Sequence, residues 1–172
     1  MTNTMKHLAL ALLAVATLAA PGCKKDSGST GGGAGTAAKP AEGEAKAGPT
    51  KLAKLDNLSI DTGGAEVGDG IGGDGVMLTG GAFGALTVSI QKTPQSVDEA
   101  KSDAGMYSPK NLKAETLPDG YVVTYDNSGS MGANFFVQAR RDIGGKTYSC
   151  STTVSNADQQ AAAVAACKSL KK

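Results

Sequence analysis

The residues of this chain that could do chemistry are three cysteines and a scatter of carboxylates in a glycine-rich stretch. Cys23, Cys150 and Cys167 are thiols that could be acylated, paired, or left free as nucleophiles. Asp61, Glu66, Asp69 and Asp74 lie among glycines, and hard oxygen ligands on pliable backbone suit calcium. Their spacing fits neither an EF-hand loop nor a GGxGxD repeat, because Met77 stands where the repeat needs Asp two residues beyond Gly75. The expectation for this stretch is a solvated, mobile loop with no metal assigned and no cofactor. Small-ligand or calcium binding there is the second functional reading.

Two further motifs fail on context. Gly68-Asp69-Gly70-Ile71-Gly72-Gly73 spells GxGxxG, yet a strand-like Val76-Met77-Leu78 follows where a dinucleotide site needs a helix. Ser89-Ile90-Gln91-Lys92 spells SxxK, but on a strand, and its partner motifs are only half echoed by Ser102-Asp103-Ala104 and Lys146-Thr147-Tyr148. The only histidine, His7, lies in the N-terminal segment and would leave with it. Ser–His–Asp and Cys–His mechanisms are thereby excluded from the mature chain. From residue 51 onward, 12 Lys/Arg face 13 Asp/Glu, a net charge of −1. With so weak a field and few aromatics for base stacking, nucleic acid is not expected as a partner. The chain reads as a non-enzyme.

The elements that hold these residues start with an export pattern. Lys6 and His7 precede an apolar run from Leu8 to Ala19, and small residues lead into Cys23. The run is too short to cross a bilayer of about 30 Å, which takes about 20 apolar residues. Ala20-Pro21-Gly22-Cys23 resembles the lipobox of bacterial lipoproteins. Gly22 and Cys23 match it, whereas Ala20 stands where Leu is usual and Pro21 is atypical. The resemblance implies cleavage after residue 22, lipidation of Cys23, and attachment to an envelope membrane, the outer membrane facing the periplasm first and the cell surface second. General signal-peptidase cleavage at the same bond is the alternative. Residues 23–50 carry Gly, Ala, Ser, Thr and Pro with scattered charges and no large apolar side chain. Such a segment cannot offset its ordering entropy, and as a flexible coil it would span about 30 Å root-mean-square. It reads as a tether.

Residues 51–172 are enough for one small domain. Leu86–Gln91 alternates apolar and polar, and Tyr121–Tyr125 is rich in β-branched and aromatic residues; both read as strands. Phe135–Arg141 and Lys146–Val154 flank Asp142-Ile143-Gly144-Gly145 as a hairpin. Further strands are expected at Leu58–Ile60, Val76–Thr79 and Leu112–Thr116. Gly80–Gly84 reads as a hairpin turn with Phe83 exposed to a partner. Ser96-Val97-Asp98-Glu99 is a capping box opening a helix with Val97, Ala100, Ala104 and Tyr107 along one side. Ser155–Asp158 opens a second helix, with Val164, Cys167 and Leu170 on its apolar stripe beside Ala163. The fold class expected is α+β, an antiparallel sheet packed by two helices. Tyr148, Cys150 and Thr152 share a face of the last strand, and the helix must fold back onto it. A Cys150–Cys167 disulfide is therefore expected in an oxidising compartment, two buried free thiols being the alternative.

Taken together, Thr87–Gln91, Ser96–Met106, Gly120–Asp126, Phe135–Ser151 and Ala161–Leu170 resemble the small α/β/α sandwich lipoproteins of the PsbP-like superfamily. That resemblance implies an accessory or binding protein, and it carries over no site residue. The expectation for the whole chain is a membrane-anchored, non-catalytic binding or structural module of the bacterial envelope with a protein partner.

Overall fold

The computed structural model describes residues 48–129 and 132–172. Cys23, the export segment and most of the tether lie outside these residues. Nine strands and two helices run in the order β1 (Thr50–Leu52), β2 (Leu58–Ile60), β3 (Glu66–Asp69), β4 (Gly75–Thr79), β5 (Ala85–Ile90), α1 (Val97–Gly105), β6 (Lys110–Leu117), β7 (Gly120–Gly129), β8 (Gly132–Ile143), β9 (Lys146–Val154) and α2 (Ala157–Ser169). The fold is α+β: the helices pack against an antiparallel sheet.

Seven strands form one sheet in the order β3-β4-β5-β9-β8-β7-β6, and β1 pairs with β2 in a separate ribbon. The chain builds one flank as a β3-β4-β5 meander and crosses through α1 to the far edge. It then returns as a second meander, so that β9 closes the sheet against β5 in the register Thr87↔Ser151 and Val88↔Cys150. The expected hairpin is the pair β8–β9, with Ile143↔Lys146 as its last rung. Its two-residue turn needs positive φ at both positions, and Gly144 (61°) and Gly145 (79°) supply it without a Cβ penalty.

Alternation along β7 divides the interior. Val122 joins the larger cluster with Leu78, Leu86, Val88, Val137, Ala139, Tyr148 and Cys150, under α2 and the β1–β2 ribbon. Tyr121, Val123 and Tyr125 point the other way, onto Ala100 and Ala104 of α1. Helix α1 is capped as expected: Ser96 Oγ accepts from Glu99 N (3.2 Å) and Glu99 Oε2 accepts from Ser96 N (2.7 Å). Helix α2 starts from Asn156, whose side chain accepts from Gln159 N at 2.9 Å. Its buried stripe is Ala163, Ala166, Cys167 and Leu170, while Val164 is only partly buried. Small side chains let the helix approach closely enough for the Cys150–Cys167 disulfide, which spans 5.7 Å between Cα atoms.

Two expectations are corrected. The acidic glycine-rich stretch is not one loop: Glu66–Asp69 is a strand, paired with β4 from Glu66↔Thr79 to Asp69↔Val76. Backbone pairing at a sheet edge overrides its poor strand propensity. Phe83 is not exposed; it sits in a single 3₁₀ turn and is only 2% accessible, packed in the α2-side cluster. The ribbon strand β1 was not foreseen, and it brings Leu52 fully into the core.

The C-terminal end of α2 is held by Arg141, a charged residue only 8% exposed. Its Nη1 donates to the carbonyls of Cys167 (2.8 Å) and Lys168 (2.6 Å). Its Nε and Nη2 donate to the two oxygens of Asp119 at 3.0 and 2.8 Å. One planar fork thus caps a helix and pairs a carboxylate, which a lysine cannot do. Removing both cysteines (Cys150→Ala with Cys167→Ala) is expected to cost about 3 kcal/mol, from closure of a loop of this length. Arg141→Lys is expected to cost about 2 kcal/mol, since it strands part of a buried hydrogen-bond set. Urea unfolding midpoints measure both, and an Arg141→Lys midpoint equal to wild type would contradict the clamp.

Candidate binding face

On the α1 side of the sheet the outward positions of β5, β9 and β8 carry hydroxyls and amides instead of the apolar residues found beneath α2. The register aligns them in cross-strand rows. Thr87, Ser151 and Gln138 form one row, and Ser89, Ser149 and Arg140 form the next. Thr153 lies opposite Phe136, and Phe136 opposite Tyr125, continuing the pattern toward the other end. Helix α1 is short and covers the β7 column of Tyr121, Val123 and Tyr125. The columns of β5, β9 and β8 are not covered by the helix; their side chains are half-buried apart from the exposed Thr153, and a groove of about 350 Å³ runs over them.

Aromatic rings wall one end of the groove. Tyr125 and Phe136 stack at 4.5 Å between centroids and 8° between planes. Tyr107, just past the end of α1 and 56% exposed, lies 6.5 Å from Tyr125 and 6.3 Å from Phe136. Burial pushes the phenols of Tyr121 and Tyr125 above their usual range, so both stay protonated at neutral pH. At the centre, Gln138 Nε2 donates to Gln95 Oε1 (3.1 Å), and Gln95 in turn donates to Asp103. This relay runs from the sheet to α1 and fixes the orientation of the Gln138 amide. Arg140 is occupied: it donates to the Gln95 carbonyl (2.9 Å) and to both oxygens of Asp142 (3.2 and 2.7 Å).

The acidic candidates do not converge. Asp69 is paired with Lys54 (2.6 Å) and Asp74 with Lys92 (2.7 Å). Asp61 accepts from the Gly63 amide at 3.3 Å, and Glu66 lies exposed on β3. Among the described residues no three His, Cys, Asp or Glu side chains gather in a cluster that could hold a metal. Cys150 and Cys167 are joined to each other.

One cluster does gather a carboxylate, a phenol and an ammonium, and the sequence did not reveal it because 92 residues separate Asp56 from Tyr148. Tyr148 Oη donates to Asp56 Oδ2 at 2.7 Å, and Lys146 Nζ lies 2.8 Å from the same oxygen. The two donors, Lys146 foremost, hold the Asp56 carboxyl below the usual carboxylate range. Burial, then the bond to Asp56, pushes the Tyr148 phenol from 10.0 up to about 12. Both shifts oppose proton-transfer chemistry near neutral pH, and the trio instead pins the β1–β2 turn to β9.

The pin has a pH signature. A folded-state phenol raised above its unfolded value contributes stability that is complete below pH 10 and lost as pH rises toward 12. A lowered carboxyl contributes stability present above about pH 4 and lost as acidification carries pH through its folded value. Melting temperature against pH should fall at both ends. Tyr148→Phe should make the alkaline limb shallower, and Asp56→Asn should flatten the acid limb as well. An alkaline limb unchanged by Tyr148→Phe would refute the assignment.

No protein-family model, curated protein or solved structure matches this chain.

Proposed function

We propose that this protein is a lipid-anchored lipoprotein of the bacterial cell envelope, on the outer membrane facing the periplasm, whose domain is a non-catalytic binding module. The observation that carries the reading is the assignment of the three thiols. Cys150 and Cys167 are bonded to each other, so the remaining cysteine is the one at the end of an export pattern. A structural disulfide fits an oxidising compartment, and one odd thiol in an exported chain calls for a separate use. Acylation supplies it: two or more chains give stable anchoring where one gives only marginal binding.

For the domain we propose the α/β/α sandwich arrangement of the PsbP-like proteins that the sequence resembles. The opposite facing of Val122 and Val123, toward α2 and α1 respectively, supports it. The open half of the α1-side face is then the surface the tether presents. A binding role suits it better than catalysis: the groove is shallow and its lining is uncharged.

Mass spectrometry of the mature N-terminus tests the anchor directly. The expected species begins at Cys23 and carries a diacylglyceryl thioether and an N-acyl chain. Cys23→Ser should move the protein from the membrane to the soluble fraction. A mature chain with unmodified Cys23, or a Cys23→Ser protein still sedimenting with membranes, would end the lipoprotein reading.

A further inference from the structure

The uncharged groove has chemistry that selects a ligand class. Its lining combines hydroxyls on β5 and β9, the Gln138 amide, and the Tyr125–Phe136 pair at one end. Among the described residues no side-chain hydrogen bond holds Thr87, Ser149, Ser151 or Thr153, and none is accepted by Gln138 Oε1. We propose that this half-sheet binds a neutral glycan chain; the inference rests on reading the domain as a binding module.

Three features support that class. First, the hydroxyls form a grid. Positions two apart along β9 are separated by about 6.6–7 Å, and neighbours across strands by about 4.8 Å. Donors and acceptors so spaced match a ligand that carries several hydroxyls on each ring. Second, the half-buried Phe136 ring, backed by the buried Tyr125, gives the end of the groove an apolar contact, which the C–H face of a pyranose can meet where a plain polyol does not. Tyr107 stacks beside the pair at 6.5 and 6.3 Å but is not part of the groove lining. Third, charge is absent from the lining. The nearby cation, Arg140, is already held by Asp142 and the Gln95 carbonyl, so no side chain waits for a phosphate or carboxylate. An extended peptide is the weaker match. It pairs through its backbone at a sheet edge, whereas the backbone groups of β9 and β8 are engaged with their neighbours.

The test uses the full-length detergent-solubilised protein and three neutral probes: chitotetraose (N-acetylated), cellotetraose and maltotetraose, each titrated into the millimolar range. Tyrosine emission is a direct optical readout because the chain has no tryptophan, and amide NMR shifts map the site. At least one probe should give saturable shifts centred on Thr87, Gln138, Ser149 and Ser151. Gln138→Ala, which removes the fixed amide, should weaken binding about threefold to tenfold. Ser151→Ile, which keeps strand propensity while filling the groove, should weaken it at least tenfold with an unaltered melting temperature.

No saturable shift with any probe, shifts confined to another surface, or wild-type affinity in a folded Ser151→Ile variant would overturn the proposal. A photocrosslinking residue at position 151, activated in intact membranes, separates this failure from failure of the broader reading. A crosslinked polypeptide without glycan shifts would leave a binding module whose ligand is a protein. Silence in both assays would remove the binding reading as well.

Discussion

The attachment of the α2 C-terminus to the sheet is the constraint on which the rest of this structure depends. Two devices make it, side by side. The Cys150–Cys167 bond joins the helix to β9, and Arg141 reaches from β8 to the carbonyls of Cys167 and Lys168. Those carbonyls belong to the last turn, where the regular helical donors run out, Cys167 O taking only a long bond from Leu170 N (3.4 Å), and where the helix dipole is negative. A guanidinium there satisfies the acceptors and is stabilised by them. Its other edge is taken by Asp119 in the β6–β7 turn, whose carbonyl also accepts from the Asp142 amide at 2.6 Å. Three separate segments are thereby fixed relative to one another. The chain just past α2 is fixed too, since Lys171 exchanges backbone hydrogen bonds with Ser59 at 2.7 and 3.0 Å.

This arrangement accounts for an unusual interior. A domain with no tryptophan and few other aromatics has little large apolar surface to bury, and the helix it places over its main core turns small side chains, Ala163, Ala166 and Cys167, toward the sheet. Alanine gives up little transfer free energy per residue but permits close approach, so backbone proximity and a covalent link do part of what bulk does elsewhere. The larger contributions come from strands and turns: Leu52, Leu55, Leu58 and Ile60 from the ribbon, and Leu78, Leu86, Val88, Phe83 and Tyr148 from the sheet side. The Tyr148–Asp56 bond fastens the ribbon from beneath, so the β1–β2 turn acts as a fixed cover on that core.

The two faces of the sheet differ in consequence. On the α2 side the outward positions of β5, β9 and β8 are mostly apolar and buried, and a cleft of about 530 Å³ with Lys113, Glu115, Thr124 and Gln160 in its lining opens over β6 and β7. On the α1 side, the short helix seals one column and leaves threonine, serine and glutamine side chains half-buried in a groove. An antiparallel sheet can face water on one side, yet here the uncovered part ends on a stack of three aromatic rings. That juxtaposition of hydroxyls and rings distinguishes it from an ordinary solvated face.

Much of this was legible in the residues alone, and for local reasons. The capping box at Ser96–Glu99, the Gly144-Gly145 turn and the alternation along β5, β7 and β9 act within a few residues, so pattern reading located those elements. The Cys150–Cys167 pairing also followed, because strand period and helix stripe together bring the two positions face to face. What lay beyond reach depended on partners far away in the chain. Glu66–Asp69 is a strand only because β4 pairs with it, and Phe83 is buried only because α2 covers it. Arg141 looked like any polar hairpin residue until α2 and Asp119 closed around it. The same holds for the candidate site. Each serine and threonine was visible as an outward strand position, but pairing of β5 with β9 was needed to bring Thr87 beside Ser151. By itself the sequence determined local elements and which thiols could meet, and it carries the pattern on which the export proposal rests. The tertiary structure alone decided which polar residues share a surface, because that depends on strand order and register, to which local propensity is blind.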